Sequence, residues 1–201
     1  PEQLGVKLNK PVGGYSLTDL MKMPFRKSAL KLAVVGQEND VPFDFLVEEI
    51  VAMGRTPHKK LFDVDNAHDK QIVHHALEHL GMENMAKRSY LRLSGGEKQR
   101  VIIARAVAQE SDFLILDEHT AALDPKTAEL IMELTDKVVR EKQLTTIMVT
   151  HNLRYAVEYG DRLLMMHQGH AVMDLEGDEK KNMNVDTILE KFNEISIECG
   201  N

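Results

Sequence analysis

The 201-residue sequence has no tryptophan, a single cysteine and few aromatic residues, which make up 5% of the chain. One cysteine, Cys199, excludes an intrachain disulfide and is typical of a protein of the reducing cytosol. No apolar run approaches the roughly 20 residues that span a bilayer. No secretory signal pattern follows Pro1. We therefore expect a cytosolic chain that could serve a membrane only as a peripheral partner.

The sequence also has fewer positively charged than negatively charged residues. The chain has 25 Lys and Arg against 32 Asp and Glu, for a formal net charge of -7. This balance argues against a general nucleic-acid binder, and no nucleic acid is expected as a partner. Hydrophobic content of 43% and charged content of 28% are those of a globular protein that buries a sizeable core.

A further absence concerns phosphate binding. No Gly-x-x-x-x-Gly-Lys-[Ser/Thr] loop occurs in the 201 residues, and the only Lys-Ser pair, Lys27-Ser28, has no glycines in the required frame. Such a loop supplies a nest of N–H groups and a lysine to a nucleotide. Without it, most of the phosphate affinity should be missing from the chain as given.

What the sequence does have is a Ser-Gly-Gly turn followed by a buried strand. The stretch Leu93-Ser94-Gly95-Gly96-Glu97-Lys98-Gln99-Arg100 precedes a helical run, and the apolar run Phe113–Leu116 ends in Asp117-Glu118. Two glycines allow close backbone approach, and a helix N-terminus attracts anions, most plausibly phosphate. An Asp at the end of a buried strand is a common ligand for Mg²⁺ beside phosphates.

These motifs resemble those of ATP-binding cassette (ABC) ATPases. Leu93 to Gln99 is similar to the family's LSGGQ signature, and Phe113 to Glu118 is similar to the Walker B strand with its catalytic Glu. Ala122-Leu123-Asp124 resembles the D-loop, and Val149-Thr150-His151-Asn152 resembles the switch-histidine segment. Four motifs in the family's order make this resemblance specific.

The resemblance implies roles around the chain's own nucleotide. Asp117 would hold Mg²⁺, Glu118 would act as general base, and His151 would contact the γ-phosphate of ATP. Gln37 follows the short strand Leu32–Val35 and matches the Q-loop glutamine, which contacts Mg²⁺ or water. The family usually has Pro before this Gln, whereas this chain has Gly36.

The resemblance also implies a second ATPase subunit, in a homodimer or a heterodimer. ATP is sandwiched between two subunits in this family. The signature residues Ser94, Gly95, Gly96 and Glu97 would meet the ATP held by the partner, and Asp124 would bridge the dimer. Transmembrane permease subunits are the other implied partners, which places the chain on the cytoplasmic face of the membrane.

The expected fold is α/β, with a P-loop NTPase-type core, a mostly parallel sheet and an inserted helical subdomain. The expected division is a partial core at 1–37, a helical subdomain at 38–109 and the remaining core at 110–201. Residues 144–149 are predicted to be a buried parallel strand, and residues 161–175 to be a hairpin. In this comparison the family's first strands and its P-loop have no counterpart in the 201 residues.

The resemblance favours an ATPase subunit of an importer of metal chelates or other small solutes. Residues 38–61 resemble the ATPases of metal-chelate importers, which serve siderophores, haem and cobalamin. The region 117–195 resembles a different branch, with His119 where most members carry Pro. Two alternatives stay open: a non-transport ABC ATPase, and a catalytically inactive fragment or interaction module.

A zinc site is a weaker alternative for part of the chain. His75, Glu78 and His79 match a His-x-x-Glu-His pattern, but no third protein ligand beyond these is evident. We interpret the three residues as one face of a solvated helix.

Overall fold

A computed structural model of the chain describes residues 22–37, 41, 43–60 and 63–198, with side chains up to residue 193. Residues 15–23, whose sequence predicts a short strand and loop, therefore fall almost wholly outside the described residues, as does Cys199. The chain divides into two compact units, one within residues 11–149 and one that contains the residues after Val149. The three-part division predicted from the sequence stays a prediction.

A three-stranded parallel sheet is the framework of the first unit. Its strands are β1 (Leu32–Val35), β2 (Phe113–Asp117) and β3 (Thr145–Val149), with β2 in the middle. Leu116 of β2 pairs with Val35 on one side and with Met148 on the other. The predicted α/β class with a parallel sheet is confirmed. In such a sheet all carboxyl ends lie along one edge.

The two faces of this sheet differ in burial. Ala33, Val35, Leu114 and Leu116 alternate along β1 and β2 and belong to the buried core. On the opposite face, Val34 is 52% exposed, and Ile147 and Val149 are 43% and 48% exposed. The prediction that β3 is buried is therefore wrong. The helices that complete the core pack on the other face, so alternate residues of β3 remain accessible.

Three α-helices of the first unit begin at a residue whose side chain caps them, namely Asn66, Ser94 and Asp124. The Asn66 side chain accepts a hydrogen bond from the N–H of Asp69, and the Asp69 carboxylate accepts one from the N–H of Asn66. The residues Gly54 to Pro57 predict the end of a helix, and the α-helix before them does end at Ala52, after which the chain forms a 3₁₀ helix, Met53–His58. The α-helices are α1 (Phe25–Ala29), α2 (Val47–Ala52), α3 (Ala67–His79), α4 (Gly95–Ala108) and α5 (Pro125–Glu141).

The second unit combines a hairpin with helices. Strands β4 (Arg162–His167) and β5 (His170–Glu176) pair antiparallel around Gln168-Gly169, which confirms the predicted hairpin. Across it, Arg162 donates to both carboxylate oxygens of Asp174. The helices of this unit are α6 (Leu153–Glu158), α7 (Gly177–Lys181) and α8 (Val185–Glu198).

One surface prediction in this unit is wrong. The adjacent residues Lys180 and Lys181 predict a short solvated charge pair, but Lys180 is 5% exposed. Its Nζ donates to the carbonyl oxygens of Val157 and Tyr159, which lie at the end of α6. These carbonyls have no partner within their helix, so a buried ammonium satisfies them. Burial lowers the pKa of Lys180, and nearby Asp161 partly offsets this.

Candidate functional site

Two carboxylates follow one another at the carboxyl end of the central strand. Asp117 is the last residue of β2 and is exposed, and Glu118 is half-buried in the turn that follows. The N–H of Glu118 donates to the carbonyl of Val149 at 3.0 Å, and the Glu118 carbonyl accepts from Ala121 at 2.9 Å. The first hydrogen bond fixes the turn to the end of β3, and the second closes the turn between Glu118 and Ala121.

The backbone of Glu118 is unusual. Its φ is +46°, in the left-handed region that non-glycine residues rarely adopt. A glutamate there costs on the order of 1–2 kcal/mol, and such strain concentrates at functional sites. The sequence carries no sign of it, because no Gly or Asn marks the position. The conformation turns the chain away from the strand directly after Asp117.

Gln37 lies beyond the same sheet edge. It is exposed and follows the end of β1 by two residues, after a half-buried Gly36. Because β1 neighbours β2, Gln37 and the two carboxylates follow adjacent carboxyl ends of the sheet. This is the edge at which ligands bind in open α/β sheets.

The Ser-Gly-Gly turn begins α4 in the manner expected for an N-cap. The Ser94 hydroxyl accepts from the N–H of Glu97 at 3.4 Å, and a Glu97 carboxylate oxygen accepts from the Ser94 N–H at 2.7 Å. The hydrogen bonds from the N–H and hydroxyl of Ser94 lower the pKa of Glu97. Among the described residues, none accepts a hydrogen bond from the N–H of Gly95 or Gly96. These two donors stay available to an external anion.

Asp124 lies beside that turn. It caps α5, accepting from the N–H of Thr127 at 3.1 Å. The Thr127 hydroxyl is the largest cause of the lowered pKa of Asp124, followed by the Thr127 N–H. Leu123 and Thr127 are the residues that a side chain at Gly95 or Gly96 would meet. The signature turn and the D-loop are therefore neighbours within the first unit.

His151 belongs to the second unit and is described there. It is exposed and lies between Val149, the last residue of β3, and Asn152, the N-cap of α6. Asn152 accepts from the N–H groups of Arg154 and Tyr155, and its own N–H donates to the Thr150 hydroxyl. His151 thus lies in the short segment between the end of β3 and the capped start of α6.

His119, the residue after Glu118, is buried. It is 4% exposed, and its Nε2 has no hydrogen-bond partner in the structure. Burial lowers its pKa to about 4, so the imidazole is neutral at pH 7. The sequence singled out His119 only as a departure from the family's Pro and gave no sign of its burial.

The donors at the sheet edge fit magnesium better than zinc. Mg²⁺ is held by one or two carboxylates together with water and substrate phosphates, and exposed Asp117 provides such a carboxylate. No group of three or more His, Cys, Asp and Glu that could hold a metal ion occurs among the described residues. In the His-x-x-Glu-His segment, His75 pairs with Glu78 at 3.3 Å while His79 pairs with Glu141 of α5.

Comparison with known proteins places these motifs in a family. A family model described as "ABC transporter" matches residues 11–121, more than half of the chain. The tyrosine transport ATP-binding protein of Clostridioides difficile (strain R20291) is 55% identical over 100 residues, which are 50% of this chain and 40% of that protein.

Other relatives match a longer part of the chain. The iron(3+)-hydroxamate import ATP-binding protein FhuC of Bacillus subtilis (strain 168) is 34% identical over 171 residues, 85% of this chain and 63% of that protein. The solved structure of cbiO1 from Clostridium perfringens, part of the ABC transporter complex cbiONQ, has 27% identity and a TM-score of 0.70. That match covers 96% of this chain and 71% of cbiO1.

The chain thus spans less than two thirds of the length of the two curated relatives. No helix in the described part of the chain combines the length and apolarity needed to cross a membrane. With the family model covering residues 11–121 and the fold shared with cbiO1, the chain belongs to the ABC transporter family.

Proposed function

We propose that this chain is part of an ATP-binding and ATP-hydrolysing subunit that powers an ABC importer. The observation that carries the proposal is the central strand β2, which ends in Asp117-Glu118, in the unit that also contains the signature turn. The relatives are named as ATP-binding proteins of transport systems, which supports the same function.

The roles proposed for the chain's own nucleotide follow from chemistry at the sheet edge. Asp117 would hold Mg²⁺, whose charge would offset that of the ATP phosphates when bound. Glu118 would accept the proton of the water that attacks the γ-phosphate, acting as general base. Gln37 would orient this water or the ion, and His151 would meet charge on the γ-phosphate.

The proposed partners are a second ATPase subunit and transmembrane permease subunits. Ser94, Gly95 and Gly96 would bind the γ-phosphate of the ATP held by the second subunit, since two N–H donors are open there. Glu97 fixes that turn, and Asp124 would bridge the dimer. We place the chain at the cytoplasmic face of the membrane, as a peripheral subunit.

The transported solute is proposed only as a class. One relative is named for tyrosine transport and another for iron(3+)-hydroxamate import. Both names fit an importer of small solutes or metal chelates. A non-transport ABC ATPase is the competing function, and recovery of a permease with the affinity-purified chain would distinguish the two.

Substitution of the proposed general base tests the function. A version of the chain with a Gly-x-x-x-x-Gly-Lys-[Ser/Thr] loop restored ahead of residue 11 should hydrolyse ATP. Glu118→Gln in that protein should slow hydrolysis by about a hundredfold or more and leave ATP binding intact, because only proton transfer is lost. Steady-state phosphate release and equilibrium ATP binding measure the two effects.

Glu133→Gln is the matched control, because Glu133 is an exposed carboxylate on α5. It should leave the rate unchanged. A Glu118→Gln protein that hydrolyses ATP at the rate of the parent would remove Glu118 from the mechanism.

A further inference from the structure

The N-termini of α4 and α5 contact each other through a glycine and a threonine. A Cβ built on Gly96 would lie 2.3 Å from the Cγ2 methyl of Thr127, far inside any real contact. It would lie 3.7 Å from the Thr127 Cβ and 4.0 Å from its hydroxyl oxygen. The methyl group of Thr127 therefore occupies the space that a side chain at position 96 would need.

Gly95, the preceding residue, is not constrained in this way. A Cβ there would meet Leu123 Cδ2 at 3.5 Å, an ordinary van der Waals distance. The close approach of the two helices is thus specific to the pair Gly96 and Thr127. The φ of Gly96 is not positive, so close approach, and not backbone conformation, requires glycine there.

Thr127 itself is held in place by Asp124. Its N–H donates to Asp124 Oδ1 at 3.1 Å, and its hydroxyl also donates to that carboxylate, which lowers the pKa of Asp124. With the hydroxyl engaged, the χ1 rotamer that directs the methyl at Gly96 is favoured. The cap of α5 therefore determines how closely the first turn of α4 can approach.

From this contact we propose that Thr127 is a positioning residue for the signature turn. Its methyl group sets the placement of the Gly95 and Gly96 N–H groups and links that placement to Asp124 at the start of α5. The inference rests on the proposed function, in which these N–H groups bind a phosphate. It adds a connection, within one chain, between the D-loop and the signature turn.

The contact is tested by a double-mutant cycle. Gly96→Ala should lower the midpoint of thermal unfolding, because the new methyl collides with Thr127 Cγ2. Thr127→Ser removes Cγ2 and keeps the hydroxyl, so it should restore most of the loss, whereas Thr127→Val keeps the methyl and should restore none. If Gly96→Ala alone does not fold, recovery of folding in the Gly96→Ala/Thr127→Ser protein is the supporting result. Failure of serine to rescue, or equal rescue by valine, overturns the contact.

The positioning role needs a measurement that stability alone does not move. Inorganic phosphate is titrated into the ¹⁵N-labelled chain, and the amide resonances of Gly95 and Gly96 report its affinity for the folded protein. Thr127→Ser should weaken this affinity about threefold to tenfold, the loss expected for one misaligned hydrogen bond. Gly169, at the open end of the hairpin, should not respond.

A matched control lies in the second unit. Thr187 near the start of α8 makes the same kind of cap, its N–H and hydroxyl donating to Asn184 at 2.9 and 3.1 Å. Thr187→Ser should leave the phosphate response unchanged.

The outcomes separate the two claims. A wild-type response that Thr127→Ser leaves unaltered overturns the positioning role but retains the proposed function. No response at Gly95 and Gly96 in the wild-type chain contradicts the proposed phosphate site, and the positioning role is overturned with it.

Discussion

The imidazole of His119 is buried one residue after the proposed general base. Its Nε2 has no partner in the structure, and burial lowers its pKa to about 4 from the ordinary value of 6.5. A charged imidazole would lose its hydration there without gaining a counter-charge at this nitrogen. The folded chain therefore binds the histidine proton more weakly than the unfolded chain does.

This difference predicts how stability depends on pH. Well above pH 6.5 His119 is neutral in both states and has no linked effect. As the pH falls from 6.5 towards 4, only the unfolded state gains the proton, so the free energy of unfolding should fall by about 3 kcal/mol at most. Urea unfolding at a series of pH values, in buffer without divalent cations, measures the slope.

His119→Gln should flatten the slope in this pH window, because glutamine does not titrate. His75→Gln, at an exposed histidine of α3, is the control and should keep the wild-type slope. If both substitutions leave the pH dependence of unfolding unaltered, the burial of His119 has no measurable consequence for folding.

At the scale of elements, the C-terminus of α4 is held by side chains from other parts of the chain. Arg55, itself 4% exposed, donates to the carbonyl of Ala108 at 2.8 Å and pairs with Asp69 at 3.0 Å and Glu110 at 2.8 Å. Burial raises the pKa of Asp69, but the Arg55 hydrogen bond and its other partners outweigh this and lower it overall. The Arg55 guanidinium satisfies the carbonyl at the end of α4. It also links this helix end to the 3₁₀ helix that contains Arg55 and to the first turn of α3, which contains Asp69.

Gln109 extends this network towards the sheet. Its side-chain amide donates to the carbonyls of Ala29 and Leu32 at 2.5 and 2.9 Å, and its own carbonyl is bonded to His58 at 2.8 Å. The end of α4 is thus fixed to β1 immediately before the chain enters β2. The network contributes to holding the strand that ends in Asp117.

Removal of Arg55 should therefore be costly. Arg55→Ala leaves Asp69 buried without its main partner and exposes a carbonyl, and the free energy of unfolding should fall by about 3 kcal/mol. Denaturant unfolding measures the loss. Lys137→Ala, which removes an exposed pair with Glu141 on α5, should cost about 0.5 kcal/mol or less. Similar costs for the two variants would contradict a structural role for the Arg55 network.

At the scale of the whole chain, the polar side chains proposed to surround the phosphates are present, but the loop that would bind the phosphates tightly is not found in the 201 residues. Gln37, Asp117 and Glu118 follow the sheet edge, but no Gly-x-x-x-x-Gly-Lys-[Ser/Thr] loop occurs in the 201 residues. Repulsion between carboxylates and phosphates makes Mg²⁺ necessary for binding there, and one ion does not replace a nest of N–H donors and a lysine.

The chain as given should therefore bind Mg-ATP with an affinity no better than about millimolar, equivalent to about 4 kcal/mol. Isothermal titration calorimetry measures the affinity, and a phosphate-release assay should detect no turnover by this chain alone. Micromolar binding, or phosphate release that Glu118→Gln abolishes, would reveal a nucleotide site that the sequence did not predict.

Local patterns predicted much of this molecule. The three parallel strands, the hairpin and the helix start at Ser94 follow from apolar runs and a capping residue, whose effects act within a few neighbours along the chain. The order of the signature, Walker B, D-loop and histidine segments predicted the family for the same reason. The roles of the individual site residues remain predictions.

Contacts between distant residues were decided only by the tertiary structure. Sequence spacing gave no sign that Thr127 would fill the space beside Gly96, that Lys180 would be buried under the end of α6, or that β3 would expose one face. Each of these depends on which surfaces pack together, and hydrophobic periodicity indicates a face without naming what covers it. The left-handed backbone of Glu118 belongs here too, because hydrogen bonds to Val149 and Ala121 impose it against the preference of the residue.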